Sequence, residues 1–216
     1  MADSNDNKND DNNDDDTDDD TYIKTTTHNY VSRRAIIDGA KQVEIRGRSI
    51  IHEKVKVRGD LSIIKIGRYV EIGSSTLLEP SYNPYNQDND NNNNNNNKKY
   101  IPMIIGSHTH IGKECTIQAA AIGSMVWIGD NVKIGKRCII KDNCIIESNI
   151  VLGNDTVIPP FTLLSSSNNS SNSSTRSSSN NNNNTYEELP PSVAVTTQEV
   201  SLDRYSEFKQ EQRNKQ

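Results

Sequence analysis

An aliphatic residue returns at every sixth position along the second half of the chain. The clearest run is Ile128, Ile134, Ile140, Ile146, Leu152 and Ile158. Neither the 3.6-residue period of an α-helix nor the two-residue alternation of a simple strand explains this spacing. Two arrays carry the six-residue period, one from Ile45 to Leu78 and one from Ile105 to Leu163. A fixed short period predicts a stack of similar structural units.

Three other positions of the six-residue unit are also restricted. If the aliphatic residue is the first position, the fifth is mostly small or β-branched and the fourth is often Asn or Asp. The second position is glycine in eight units, at Gly67, Gly73, Gly106, Gly112, Gly123, Gly129, Gly135 and Gly153. The fifth position and the first position of the following unit point inward, and the sixth position between them points outward. This alternation is the pattern of a short strand. Glycine relaxes backbone limits and Asn or Asp tolerate a left-handed backbone, so a corner is predicted after each strand.

Three strands and three corners would close one triangular coil, and stacked coils would pair as parallel strands. One coil cannot bury its inner face alone, so several coils must stack. Sixteen units at three per coil predict about five coils. The sequence therefore predicts an all-β fold, a parallel β-helix.

These hexads resemble the left-handed parallel β-helix superfamily, which includes hexapeptide acyltransferases and γ-class carbonic anhydrases. The left hand is implied by the resemblance, and it runs against the usual right-handed crossover.

Beyond the array, Leu189-Pro190-Pro191 leads into a predicted helix, in which Thr196 and Glu199 fit a capping box. Its apolar side would consist of Val200, Leu202, Tyr205 and Phe208. Because the flank of a solenoid needs a cover, we expect this helix to pack on the coils.

Composition divides the chain into segments. Residues 1–21 hold ten Asp and one Lys, a local charge of −9, whereas the whole chain carries −5, so the rest carries +4. We predict a disordered acidic tail over 1–21, a β-helix over 22–164 interrupted by an Asn-rich loop at 83–99, a Ser/Asn-rich disordered linker over 165–185 and a C-terminal helix over 186–216. No apolar run approaches the ~20 residues of a membrane span and no secretory signal is present, so we expect a soluble, intracellular protein.

Several residues of types used in catalysis also have structural explanations here. Cys115, Cys138 and Cys144 occupy the inward fifth position, which favours small buried hydrophobes over a nucleophile or a metal site.

The segment VRGDLSIIKIG, 57–67, is similar to the RGD-containing segment of γ-class carbonic anhydrases. In that family an Arg and an Asp organise subunit contacts, which the resemblance transfers to Arg58 and Asp60. A buried ion pair at a coil corner would also explain this pair.

The same resemblance argues against a carbonic anhydrase. Its metal-binding histidine positions fall at Glu79, Lys113 and Gln118, and none of these is His. A catalytic zinc needs three converging protein ligands, and an ammonium repels a cation. In the acyltransferase family the general base is a His, for which His110 is the plausible candidate here. At an outward position without a fixed carboxylate partner, His110 is more simply a surface residue. We expect no enzyme, no metal and no cofactor, with both enzyme classes kept as the alternative.

The outward sixth position predicts contact surfaces. Following every third hexad gives one column of His110, Trp127, Ile145 and Leu163, and a neighbouring side carries Ile139 and Val157. The N-terminal array instead carries Glu44, Lys56, Lys65 and Glu71 at outward positions. A contiguous apolar exterior marks something that covers it. Two covers are left open: the chain's own C-terminal helix, or a partner subunit docking at Trp127.

The order of non-repeat segments resembles one family in particular. YVSRRAIIDG precedes the first hexads, SSTLLEPSY precedes the insertion, IPPFT ends the array, and ELPPS with TTQE closes the chain. Together these resemble the dynactin subunit 5 family, a β-helix component of dynactin's pointed end.

The resemblance implies a non-enzymatic scaffold. Its partners would be dynactin subunit 6, subunit 4, the pointed-end actin-related protein and dynein cargo adaptors, without nucleic acid and without membrane insertion. It also implies a cytoplasmic protein of the microtubule cytoskeleton, with a role at endosomes and the centrosome.

Overall fold

Twenty-one short strands, a 3-10 turn at Ala40–Gln42 and one long helix form the part of the chain that the structure describes. The structure is a computed structural model, and it describes residues 21–84, 99–166 and 184–215. The predictions for 1–21, 83–99 and 165–185 fall largely outside these ranges. Within them, the chain winds through three sheets in turn, so that each coil contributes one strand to each sheet.

The strands are named by sheet. Sheet A contains β1 (Tyr22–Lys24), β2 (Tyr30–Ser32), β5 (Ile50–Ile51), β8 (Glu71–Ile72), β11 (His110–Ile111), β14 (Trp127–Ile128), β17 (Ile145–Ile146), β20 (Thr162–Ser166) and β21 (Asn184–Glu188). Sheet B contains β3 (Ile36–Asp38), β6 (Lys56–Arg58), β9 (Leu77–Leu78), β12 (Thr116–Ile117), β15 (Lys133–Ile134) and β18 (Val151–Leu152). Sheet C contains β4 (Val43–Gly47), β7 (Ile64–Arg68), β10 (Met103–Ile105), β13 (Ala121–Ile122), β16 (Ile139–Ile140) and β19 (Val157–Ile158).

Pairing within the stack is parallel, as the repeat predicts, whereas β1 and β21 pair antiparallel at the two ends of sheet A. Sheets B and C each hold six strands, so there are six coils, one more than the predicted five. The extra coil is the first, residues 30–47, whose hexads are recognisable only from Ile45 onward. The Asn-rich insertion lies between β9 and β10, inside the third coil.

The aliphatic first positions form one continuous core along the axis of the coils. Side chains such as Ile51, Ile72, Ile111, Ile128 and Ile146 are fully buried. The fifth positions complete this core, and the three cysteines there are buried, which confirms their predicted placement. Each fully buried aliphatic side chain contributes about 1.5–3 kcal/mol by leaving water.

The corners confirm one part of the prediction, the left-handed backbone at Asn and Asp of the fourth position, and correct the role of the glycines. The left-handed residue is the fourth position, as at Met125, Arg137 and Asn143 with φ of 57°, 60° and 60°, whether or not it is Asn or Asp. The glycines at the second position do not have positive φ. Seven of the eight are required because an added Cβ would strike the next coil; at Gly106 it would lie 2.4 Å from the carbonyl carbon of Gly123. The exception is Gly153.

Helix α1 (Val193–Asn214) is shorter than the predicted 186–216, because residues Asn184–Glu188 form β21 against β20. The capping box is also wrong. The helix begins before Thr196, whose hydroxyl donates to the Ser192 carbonyl, and no side chain caps the N-terminus. Helix α1 packs on the coils as predicted. It is too polar to cross a membrane.

Candidate interaction surfaces

The outward columns predicted from the hexad register exist in the structure. On sheet A, His110 pairs with Trp127, Trp127 with Ile145, and Ile145 with Leu163. On sheet C, Ile139 pairs with Val157. That these residues contact a partner remains a prediction.

The column on sheet C is longer than the sequence indicated. Ile104 pairs with Ala121 and Ala121 with Ile139, so four successive coils carry an apolar outward residue on this sheet. We call Ile104, Ala121, Ile139 and Val157 the sheet C ladder. Ile104 is 50% and Val157 56% exposed. Ile104 was missed because it precedes the first recognisable hexad of its array, and Ala121 because its unit is one residue short.

Helix α1 covers the N-terminal half of sheet A. The outward side chains of Tyr30 and Ile50 are only 5% and 3% exposed because Tyr205 and Phe208 of α1 pack over them. The Tyr205 hydroxyl donates a hydrogen bond to the His28 carbonyl at 2.8 Å. The first of the two covers, the chain's own helix, is therefore present on this half of sheet A.

A largely buried carboxylate holds α1 against the coils. Glu71, an outward residue of β8, receives a two-point ion pair from the Arg204 guanidinium of α1, with Nη2 at 2.8 Å from Oε1. His52 Nε2 lies 3.1 Å from Oε1 and His110 Nδ1 lies 3.2 Å from Oε2. Burial alone would raise the pKa of Glu71, but the hydrogen bonds from Arg204, His110 and His52 hold it well below its usual range. The carboxylate is thus charged and fully engaged.

The neighbouring tyrosine belongs to the same network. The Tyr22 hydroxyl lies 2.9 Å from Nδ1 of His52, and the ring packs edge-on against Phe208. Burial, together with the nearby carboxylates of Glu53, Glu71 and Glu211, raises the pKa of Tyr22 to about 12.

Trp127 lies beside α1 and is partly buried. Its ring stacks on the His110 ring at 4.0 Å, and the Arg204 guanidinium lies 5.6 Å from its centroid. The description of His110 as a surface residue without a carboxylate partner is therefore wrong, because Glu71 orients it and its side chain is only 14% exposed. Beside this stack runs a groove of about 460 Å³, bounded by Lys113, Asp130 and the edge of α1.

The C-terminal half of sheet A is only partly covered. A second groove of about 400 Å³ runs beside Trp127 and Ile145 and ends at Glu147. Leu163 pairs with Glu187 of β21, so this strand continues the sheet beyond it.

The Arg58–Asp60 pair is formed, but it is not buried. Arg58 Nε and Nη2 each donate to one Asp60 oxygen at 2.8 Å, and the side chains are 28% and 40% exposed. The hydrogen bonds from Arg58 hold the pKa of Asp60 below its usual range. Asp38 lies 3.8 Å from Arg58, so the corner is a small exposed charge network.

The positions aligned with carbonic anhydrase ligands do not converge. The Gln118 amide nitrogen donates to Glu79 at 2.6 Å at the corner between sheets B and C. Lys113 lies at the corner between sheets A and B, where its backbone N–H donates to Asp130. Among the described residues, no group of three His, Cys, Asp or Glu side chains is arranged to hold a metal ion.

Solved structures share the fold. The chain matches a hexapeptide transferase family protein from Anaplasma phagocytophilum with a TM-score of 0.55 and 14% identity, over 82% of this chain and 89% of the other. At this identity the likeness concerns architecture alone. The six-coil stack is thus a hexapeptide-repeat, left-handed parallel β-helix protein, of the class that the hexads predicted.

Sequence comparison defines the family. The profile of the dynactin subunit 5 family matches residues 16–178. Dynactin subunit 5 of Dictyostelium discoideum is 42% identical over 103 residues, which cover 48% of this chain and 48% of that relative. The chain belongs to the dynactin subunit 5 family, and the aligned region spans about half the length of that curated relative.

Proposed function

We propose that this chain is a non-enzymatic structural subunit of the pointed-end complex of dynactin. In this role it supports dynein-driven transport along microtubules and the attachment of cargo adaptors, including those of endosomes. Its partners are dynactin subunits 6 and 4 and the pointed-end actin-related protein. Its place is the cytoplasm and the microtubule cytoskeleton, including the centrosome.

The observation that carries this proposal is the family match over residues 16–178 on a chain whose β-helix exposes an apolar ladder. Exposed apolar columns are unusual on a protein that works alone, because they gain free energy by leaving water. The residues that replace the carbonic anhydrase ligands support a structural role, since none of the three is His and the Gln118 amide donates a hydrogen bond to Glu79.

Of the predicted contact residues, Ile139 and Val157 are the strongest candidates for a partner interface. They belong to the sheet C ladder, which no described segment covers. Trp127, Ile145 and Leu163 form a second candidate surface, which is narrower because α1 and β21 occupy parts of sheet A. Arg58 and Asp60 would contribute polar contacts at the opposite end of the stack.

The experiment compares two valines of the same coil. Val157 on sheet C is 56% exposed and Val151 on sheet B is 46% exposed, so either can be changed to Asp without disturbing the core. Tagged full-length chain carrying Val157→Asp or Val151→Asp is expressed in cells that assemble dynactin. Co-purifying subunits are counted by mass spectrometry, and the size of the assembly is measured by sedimentation.

We expect Val157→Asp to reduce recovery of the other subunits roughly tenfold or more, because burying an unpaired carboxylate in an interface is strongly unfavourable. Val151→Asp should co-purify as the unchanged chain does. If the unchanged chain sediments alone or as a homotrimer, the assembly proposal is wrong. If both variants assemble normally, the assignment of the sheet C ladder is wrong while the subunit assignment stands.

An acyltransferase is the second candidate, and one observation favours it. His110 has the carboxylate partner that a general base needs, and it lines the groove of about 460 Å³. However, the Arg204 guanidinium also binds the Glu71 carboxylate, so this carboxylate holds α1 in place as well as contacting His110. Acetyl-CoA binding by the purified chain, measured by calorimetry, would favour the enzyme if it occurred and were lost in His110→Gln.

A further inference from the structure

The two grooves on sheet A adjoin each other and form one trough. Trp127, Gly129 and Ser148 line both grooves, whose volumes are about 460 and 400 Å³. The lining runs from Gly73, after the third-coil strand β8, to Ser148, after the sixth-coil strand β17. Neighbouring strands lie about 4.8 Å apart, so four successive coils give a length of about 14 Å. We call this the sheet A trough.

Apolar side chains form the floor of the sheet A trough and continue beyond it. Trp127 and Ile145 are outward neighbours on β14 and β17, and Leu163 follows on β20. All three are partly exposed, whereas Tyr30 and Ile50, nearer the N-terminal end of the same sheet, are buried beneath α1. Helix α1 therefore passes beside this floor and leaves part of its apolar surface in contact with water.

Carboxylates surround this floor on the sheet side. Glu147 lines one groove and Asp130 the other, and both are exposed. Glu187 of β21 pairs with Leu163, so it lies on the same outward face of sheet A. Lys113 is the cation that lines this side of the trough. Three carboxylates against one ammonium leave a net charge of −2.

Helix α1 adds an acidic stripe on the other side. Four exposed acidic residues recur at every fourth position of the helix: Glu199, Asp203, Glu207 and Glu211. Like charges at this spacing repel and destabilise a helix. The ion pair with Glu71 and the nearby carboxylates of Glu207 and Asp130 raise the pKa of Arg204, which itself lines the trough. Both sides of the trough are therefore acidic.

The spacing of the floor favours a helix as the occupant. Side chains three or four residues apart on a helix are about 5–6 Å apart, close to the spacing of the coils, whereas alternate residues of a strand are about 6.8 Å apart. Helix α1 already shows this match, because Tyr205 and Phe208 cover Tyr30 and Ile50 on adjacent strands. About three turns of helix would fill the 14 Å of the trough.

We propose that the sheet A trough binds an amphipathic helix of a partner protein, which places apolar side chains on Trp127 and Ile145 and carries Lys or Arg along its flanks. The basic residues face Glu147 and Asp130 on one side and the acidic stripe of α1 on the other. The α1 helix of a second copy is acidic on its exposed face, so repulsion opposes it as the occupant. This inference rests on the proposed function, because it gives the chemistry of a partner at the second candidate surface.

The experiment uses the full chain and its single tryptophan, Trp127, as the reporter. The probes are two synthetic helical peptides that contain no tryptophan and have the same leucine face. One carries Lys on its polar face, and the other has Glu in place of each Lys. We expect the Lys peptide to change the fluorescence emission of Trp127 in a saturable titration, and the Glu peptide to leave the emission unchanged.

Matched variants test the floor and the charge separately. Ile145→Lys should weaken binding of the Lys peptide about tenfold or more, because it sets an ammonium against an apolar, basic ligand. Val151→Lys, on sheet B of the same coil, should bind as the unchanged chain does. Glu147→Lys alters an exposed side chain and should weaken binding about threefold at low salt, and less as salt is added. Glu44→Lys on sheet C is its control.

Three results would overturn the proposal: equal binding of the Glu peptide, no response of Trp127 to the Lys peptide, or full binding by Ile145→Lys and Glu147→Lys. Dimers that form with rising concentration and change Trp127 emission without peptide would assign the trough to a second copy and would also overturn it. Recovery of dynactin subunits with the tagged chain tests the proposed function separately. A chain that recovers them but does not bind the Lys peptide contradicts the trough alone, and a chain that binds the peptide but sediments alone contradicts the subunit assignment alone.

Discussion

Replacement of Gly106 by Ala tests whether the repeat glycines exist because the coils stack closely. Gly106 does not have a positive φ, so alanine is compatible with its backbone. The added Cβ would lie 2.4 Å from the carbonyl carbon of Gly123, 2.5 Å from its oxygen and 2.5 Å from the nitrogen of Ser124. All three are backbone atoms, so no side chain can rotate away.

The size of the effect follows from this geometry. A normal carbon–carbon contact is about 3.5 Å or longer, so the next coil must move by roughly 1 Å. The bond from the Gly106 N–H to the Ile122 carbonyl is 2.8 Å long, and a shift of that size takes it out of hydrogen-bonding range. Overpacking of about 1–3 kcal/mol and a lost hydrogen bond of about 1 kcal/mol predict a total loss of about 2–4 kcal/mol.

Gly153 provides the matched control. It occupies the same position of its hexad, but its added Cβ would meet only the Thr156 hydroxyl, at 3.9 Å. Gly153→Ala should leave stability unchanged or raise it by about 0.4–1 kcal/mol, because alanine restricts the unfolded chain. Urea unfolding followed by circular dichroism gives both free energies. If the free energies of unfolding of the two variants agreed within about 0.5 kcal/mol, close stacking of the coils would not be the reason for the glycines.

Two further predictions concern the contacts between α1 and the coils. Glu71→Gln should lower the free energy of unfolding by about 1–3 kcal/mol. This is less than the loss of a fully buried ion pair, because the Arg204 side chain is 41% exposed and solvent screens the pair. The variant should also speed hydrogen exchange in α1 more than in the coils. The unchanged chain should keep this stabilisation above about pH 4.5 and lose it as the pH falls towards the lowered pKa of Glu71. If the free energies of unfolding of the two proteins differed by the same amount at every pH, the ion pair would not be the cause. The second prediction concerns His108, whose Nδ1 lies 2.7 Å from the Ser201 hydroxyl of α1. Burial lowers the pKa of His108, so the unfolded chain binds a proton at a higher pH than the folded chain. The free energy of unfolding should therefore fall as the pH drops below 6.5. His108→Gln should flatten that slope in urea titrations between pH 7 and 5.5, and an unchanged slope would exclude His108 as its source.

The six-residue period was sufficient to predict the architecture. It sets which side chains point inward, so the burial of Ile128 or Cys138 and the alignment of Trp127 with Ile145 follow from counting. Position in the hexad determines these outcomes because each coil is built on the one before it, and contacts between neighbouring coils repeat with the sequence.

The tertiary structure decided what lies outside the repeat. Glu71 looked like an ordinary outward charge, and only the return of α1 across sheet A made it the anchor for Arg204, more than a hundred residues away. The strand at Asn184–Glu188 lies across the boundary between the predicted linker, 165–185, and the predicted helix, 186–216, and it was missed because its pairing with β20 has no local signal. The partial exposure of Val43 and Ile45 in the first coil was equally invisible in the sequence, since it depends on what the folded chain places beyond that coil. Local periodicity fixes local geometry, whereas contacts between distant segments depend on where the folded chain carries them.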